Sequence, residues 1–194
     1  MKQPILFASS NENKLSEMQF LFSSSEWEIV SPKSVGIQTL NIAEHGNSYM
    51  QNAIYKIEAY EKYTNLPILA DDSGLEVDYL NGQPGIFSAR FGGSHANSDK
   101  QRNKYLIKLM SNAKSDERSA TFKAVLVIRF FNDQTIIREG NVKGQIIFEP
   151  RGENGFGYDP IFQLDNGKTM AEYGEKKHAI SHRALAVKSL LEVI

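Results

Sequence analysis

The segment Ile68–Asp78, ILADDSGLEVD, constrains the 194-residue chain more than any other stretch. It reads as a buried strand, yet two adjacent aspartates, Asp71 and Asp72, stand inside it. An ionised carboxylate that leaves water without a partner loses its hydration at high cost. Either this is an edge strand with both acids exposed, or the acids serve a purpose such as holding a hard divalent cation like Mg²⁺. In a regular strand successive side chains point to opposite faces, so the two acids would not converge. Ser73-Gly74 follows directly and is turn or bulge chemistry, so the strand is expected to end or bend at residues 72–74 and re-aim both carboxylates.

The flanking sequence alternates strand and helix patterns. PILFAS reads as a short buried strand, and NENKLSEMQFLF then carries Leu15, Met18, Leu21 and Phe22 at helical spacing. EWEIVSP is a second strand ended by Pro32, and Tyr49, Ala53, Ile57 and Tyr60 mark an amphipathic helix over about 47–63. A helix is expected over about 98–110. Two extended runs, ATFKAVLVIRFF and QTIIREGNVKGQIIFE, joined through ND, suggest a long antiparallel hairpin. The terminal AISHRALAVKSLLEVI places Ile180, Ala184, Val187, Leu191 and Ile194 near one helix face. The fold class is mixed α/β; the long hairpin argues against a simple doubly wound sheet.

With 41% hydrophobic and 23% charged residues, the chain reads as one soluble domain spanning 1–194, with room for two lobes. A formal charge of −1 gives no basicity that argues for nucleic acid. The absence of cysteine excludes disulfides, thiolate metal sites and a cysteine nucleophile, and suits a reducing compartment. No signal-type run and no stretch approaching the roughly 18 apolar residues of a spanning helix is present. The expected location is cytoplasmic, with neither membrane nor nucleic acid as partner.

Four further stretches carry candidate chemistry. In ASSNENK, Ser9, Asn11 and Lys14 lie where a helix start collects unpaired N–H groups, an anion site or an ordinary cap followed by a solvated lysine. In AEHGNSYMQNAIYK, Asn52 and Lys56 lie four apart and off the apolar stripe, and Glu44 precedes the helix; a solvated helix face is the simpler alternative. RGENGFGYDPIF places three glycines beside Phe156, Tyr158 and Asp159, in an order that does not match the dinucleotide fingerprint. It suits a close-approach loop with an aromatic stacking plate, or a plain glycine-rich turn. KKHAISHR crowds Lys176, Lys177, His178, His182 and Arg183 at the expected start of the last helix, where the dipole disfavours cations. Together these answer one ligand: cations for phosphates, acids for Mg²⁺, an aromatic for a base and polar groups for its edge.

From end to end the chain resembles the inosine triphosphate pyrophosphatase family, the XTP/dITP diphosphatases. The resemblance is carried by ASSNENK, ADDSGL, PGIFSARF, GFGYDPIF and AISHR, five motifs in the family's order. It implies Mg²⁺-dependent hydrolysis of deaminated purine nucleoside triphosphates (ITP, dITP, XTP) to monophosphate and pyrophosphate. It also implies an elongated α/β fold with a long central mixed sheet flanked by helices, two lobes with a cleft between them, and a homodimer. Residue by residue, Ser9, Asn11, Lys14 and Lys56 match triphosphate-binding positions, and Glu44, Asp71 and Asp72 match metal-associated acids. Asp72 also matches the general base, and Ser73 a substrate contact. Phe156, Gly157, Tyr158, Asp159, Lys177, His182 and Arg183 match the base-recognition set. Ser10 and Asn13 stand where many relatives carry glycine, and Arg90 has no assigned role. Two alternatives are a non-catalytic nucleotide sensor and a pyrophosphatase of modified pyrimidine nucleotides.

Overall fold

The computed structural model describes residues 2–194. The apolar run after Lys2 forms β1 (Gln3–Phe7), which pairs in parallel with β2 (Trp27–Val30) on one side and with β3 (Ile68–Val77) on the other. β4 (Ser119–Arg129) and β5 (Thr135–Ile146) follow each other closely and are neighbours, and β6 (Phe162–Gln163) adds antiparallel to β5. The result is one mixed six-stranded sheet in the order β2-β1-β3-β4-β5-β6. Among the described residues four α-helices accompany it: α1 (Glu12–Leu21), α2 (Tyr49–Glu61), α3 (Asp99–Leu109) and α4 (His182–Leu191). This is the mixed α/β class expected.

The chain divides into two compact units, and β3, β4 and β5 each contribute residues to both. One unit comprises Met1–Asp72, Ala124–Gly140 and Arg183–Ile194. Its core joins Ile5, Phe7, Leu69, Leu126 and Ile128 of the strands to Met18 and Phe22 of the first helical segment and to Ala186, Val187 and Leu190 of α4. α2 buries its own stripe of Tyr49, Ala53, Ile57 and Tyr60, none of which belongs to that cluster. Strand alternation therefore divides the faces of β3: Asp71 shares Leu69's side, toward α1 and α4, and Asp72 shares the other with Ala70. Short polar side chains set the helix starts, with Asn11, Ser48 and Ser98 accepting from the main-chain N–H of Lys14, Gln51 and Gln101.

The second unit comprises Ser73–Lys123 and Asn141–His182. Its core gathers Leu75, Val77, Leu106, Met110, Phe122, Ile161 and Phe162. Two local expectations are corrected. β3 neither ends nor breaks at residues 72–74 but continues to Val77, because Leu75 and Val77 find a second apolar core to fill. Lys176, Lys177 and His178 do not open the last helix; they lie in a 3₁₀ segment, Met170–Ala179, and α4 begins at His182. Thr169 caps that segment in a reciprocal box with Glu172, which starts the helical turns earlier than the apolar spacing implies.

Arg118, just before β4, ties this unit together. It is 2% exposed, and its Nε donates to the carbonyl of Ile146 at 2.6 Å, Nη1 to that of Met110 at 3.0 Å and Nη2 to that of Ile147 at 3.3 Å. Its guanidinium also lies 4.1 Å from the Phe148 ring centroid. One planar fork thus satisfies carbonyls at the end of α3 and around the end of β5. Arg118→Ala is expected to lower the unfolding free energy by about 2–4 kcal/mol, since buried carbonyls lose their donors. Urea denaturation checks this, and a loss below about 0.5 kcal/mol would show the carbonyls need no guanidinium.

Candidate active site

Within the first unit the two aspartates of β3 have separate partners. Asp71 is fully buried, and its Oδ2 lies 3.1 Å from Lys14 Nζ and 3.0 Å from Arg183 Nε. Arg183 reaches in turn to Glu17, Nη1 to Oε2 at 2.5 Å. Lys14 and Glu17 are one turn apart on α1 and so share a face, and Arg183 is the second residue of α4. Burial by itself raises the Asp71 pKa, but Arg183, Lys14 and Lys56 outweigh it and hold the carboxyl well below the usual carboxylate range. Burial lowers Arg183, whereas Asp71 and Glu17 raise it further, so it stays charged. Lys14 is shifted down, first by burial, with Asp71 opposing and Lys56 and Arg183 adding to the fall.

Asp72 belongs to a second network. Its Oδ1 accepts from Lys56 Nζ at 2.8 Å and its Oδ2 from Asn52 Nδ2 at 3.2 Å. Lys56 Nζ also lies 2.7 Å from Glu44 Oε1 and donates to the Asp71 carbonyl at 3.0 Å. Asn52 Oδ1 accepts from Gly46 N at 2.9 Å, and a Cβ on Gly46 would stand 2.6 Å from that same oxygen, so this approach needs glycine. Burial raises the Asp72 pKa, Lys56 and Lys14 oppose it, Glu44 adds to it, and the balance lies above the ordinary value. Burial lowers Lys56, but Asp72 and Glu44 more than reverse this and its pKa is raised. Asn52 and Lys56 are thus buried polar residues beside a carboxylate, not a solvated helix face.

The second unit carries a different cluster. Asp159 is 6% exposed, and its Oδ2 accepts from Phe156 N at 3.0 Å and from Lys177 Nζ at 2.9 Å. Lys177 Nζ also sits 4.8 Å from the centroid of the Phe156 ring. Gly155 has a φ of +80°, and a Cβ there would overlap the Asp159 carboxylate. Tyr158 is buried and donates its hydroxyl to the Ser88 carbonyl at 2.9 Å, and burial pushes its pKa up. His182 stacks on Phe122 with ring centroids 4.7 Å apart.

Most of the residues singled out in the sequence therefore fall into clusters. Lys14, Glu44, Lys56, Asp71 and Asp72 form linked ion pairs in the first unit. Asn11 uses its side chain as the α1 cap, and Ser9 Oγ accepts from Asn11 N at 3.2 Å. Phe156, Gly157, Tyr158, Asp159 and Lys177 gather in the second unit, and Ser73 is half-buried in β3. Arg183, grouped with base-recognition positions by resemblance, lies in the first unit against Asp71 and Glu17. Glu17 was not singled out, although its spacing from Lys14 is a readable signal.

The acids that the resemblance assigns to a metal stand in two separate ion-pair networks. Among the described residues no group of three acidic or histidine side chains is arranged to hold a metal ion. Asp71 is committed to Lys14 and Arg183 on its own face of β3, whereas Glu44 and Asp72 converge on Lys56. Two carboxylates completed by substrate phosphate oxygens is a common Mg²⁺ environment, and Glu44 and Asp72 are the pair that suits it.

A family model described as the Ham1 family matches residues 5–193. The chain belongs to the Ham1 family. A dITP/XTP pyrophosphatase of Thermus thermophilus is 41% identical over 190 residues, covering 97% of this chain and 90% of the relative. A dITP/XTP pyrophosphatase of Bacillus licheniformis is 41% identical over 188 residues, covering 96% and 95%. The solved structure of a HAM1 protein from Coxiella burnetii superposes with a TM-score of 0.86 at 39% identity, covering 98% of each chain. The Ham1 family is the one to which the ordered motifs pointed.

Asp71 links this electrostatics to stability. Its depressed folded pKa means the stabilisation is present in full above the unfolded carboxylate value of about 4. It is lost progressively as pH falls toward the folded value. Asp71→Asn is expected to cost about 3–5 kcal/mol at pH 7, because Arg183 and Lys14 keep buried charge. The gap from wild type should narrow on acidification below about pH 4. Denaturant titrations at several pH values measure it; a gap independent of pH would separate Asp71 from the effect.

Proposed function

We propose that the chain is a nucleoside triphosphate pyrophosphatase acting on dITP, XTP and ITP, releasing pyrophosphate and the monophosphate and so clearing deaminated purines from the nucleotide pool. The observation that carries this reading is the convergence of the Asp72 and Glu44 carboxylates on Lys56 in the first unit. The names of the relatives support it. Mg²⁺ is the metal of this reading, held by Glu44 and Asp72 with phosphate oxygens; when bound it would neutralise phosphate charge and acidify water. A cytoplasmic location and a homodimer complete the proposal. Among the described residues no helix is long and apolar enough to cross a membrane.

The protein's own residues have distinct tasks. Lys56 and Lys14 offset the roughly four negative charges a triphosphate brings, so that a nucleophile can approach. The lowered pKa of Lys14 reflects a desolvated ammonium flanked by other cations, an environment that favours an incoming anion. Asn52 and Lys56 orient the Asp72 carboxylate, which is the group placed to accept a proton from the attacking water. Attack at the α-phosphorus expels pyrophosphate.

In the second unit Phe156 supplies a stacking face for the base, with Lys177 held by Asp159. Hypoxanthine and xanthine present O6 as acceptor and N1–H as donor, and adenine reverses both. Donors such as Lys177, His182 and main-chain N–H groups then leave adenine with mismatched groups, a rejection that can reach about 10⁴-fold.

The test is pyrophosphate release across a panel of triphosphates. dITP, XTP and ITP should be turned over with Mg²⁺ and stop on chelation, with kcat/KM at least about 10²-fold above ATP. Asp72→Asn should lower kcat by about 10²–10⁴ without lowering the melting temperature. Equal turnover of all purine triphosphates would overturn the selectivity, and full activity of Asp72→Asn would remove Asp72 from the proton transfer.

A further inference from the structure

The aromatic loop of the second unit is held from outside itself by two side chains of α3. Asp99 Oδ2 accepts from Gly157 N at 2.7 Å, and Asn103 Nδ2 donates to the Gly157 carbonyl at 3.1 Å. Asp99 and Asn103 are four apart and share one face of α3, so a single helix grips both polar groups of one loop residue. The peptide before it is fixed as well, because Phe156 N donates to Asp159 Oδ2 and Asp159 N donates to the Phe156 carbonyl at 3.3 Å. Between these grips the Phe156 backbone has little freedom, and with it the plane of the ring.

Neither side chain has a comparable reason to be there for the helix alone. An acid in a first turn favours the helix dipole from solvent, yet Asp99 spends one oxygen on Arg102 and sends the other across 58 residues of sequence. Asn103 is 4% exposed, and its Oδ1 is buried without a hydrogen-bond partner. An apolar residue would pack beside Leu106 without that orphan acceptor, which costs about 1–3 kcal/mol. The reversed amide would set Oδ1 against the Gly157 carbonyl, so the observed orientation follows from the need for a donor there.

We infer that Asp99 and Asn103 are positioning residues for base discrimination: by clamping the Gly157 peptide they set the angle at which Phe156 and the adjacent main-chain groups meet the purine. This rests on the assignment of the loop to the base under the proposed function. The triphosphate chemistry belongs to residues of the other unit, so losing the clamp should alter which base is accepted more than how fast phosphate is cleaved.

The experiment compares pyrophosphate release from dITP and dATP by wild type, Asp99→Ala, Asp99→Asn and Asn103→Asp, with inorganic triphosphate as a base-free substrate. The Asp99 side chain is 42% exposed, so Asp99→Ala is suited to fold, and melting curves verify it. Asp99→Ala and Asn103→Asp should each lower the dITP-over-dATP ratio of kcat/KM about tenfold, mainly through KM for dITP. Asp99→Asn keeps an acceptor for Gly157 N and should retain most of the ratio. Cleavage of inorganic triphosphate, where wild type shows it, should stay unchanged. An unchanged ratio in folded Asp99→Ala overturns the clamp, as does an equal fall with dITP, dATP and inorganic triphosphate. A wild type that does not discriminate overturns the proposed function instead.

Discussion

The first unit depends on one buried carboxylate being surrounded by charge of the right sign. Asp71 has no exposed surface, and the cations at Arg183, Lys14 and Lys56 keep it ionised there. Glu17 on the far side of Arg183 keeps that guanidinium from being an excess charge. α1, β3 and α4 meet at this network, so the same ion pairs that solvate Asp71 also set how two helices lie on the strand. A buried pair of this kind adds little over an apolar core when intact, but breaking one member leaves charge stranded. That asymmetry makes the arrangement specific.

Asp72 shows the complementary condition. It lies one residue along the strand and therefore on the opposite face, where α2 supplies Lys56 and Asn52. Burial prevails over the cations there, and the carboxylate is left more basic than usual. Two neighbouring aspartates thus acquire opposite proton affinities from the two sides of a single strand. One is locked as an anion, and the other is poised to take a proton, which is how a strand can serve both architecture and chemistry.

Much of this was legible in the sequence because the signals were local. Apolar spacing marked α1, α2 and the last helix, and the five ordered motifs pointed to the Ham1 family. The continuation of β3 past Gly74 was not legible, since Ser-Gly is ordinarily turn chemistry and only the second core around Leu75 and Val77 overrides it. The burial of Asn52 and Lys56 was hidden for a related reason: a polar helix face looks solvated until a strand carboxylate is known to face it. Arg183 reads by motif with the base, and its pairing with Asp71 across 112 residues of sequence leaves no local pattern. The grip of Asp99 and Asn103 on Gly157 joins residues more than fifty positions apart and leaves no pattern in either segment.

The division of roles along β3 is tested most directly by a carboxyl-¹³C NMR titration of the metal-free protein with Asp71 and Asp72 individually assigned. Asp71 should stay ionised below the ordinary carboxylate range, and Asp72 should take up its proton above it. Two ordinary and equal titrations, or the reverse order, would contradict the assignment of one aspartate to the framework and the other to proton transfer.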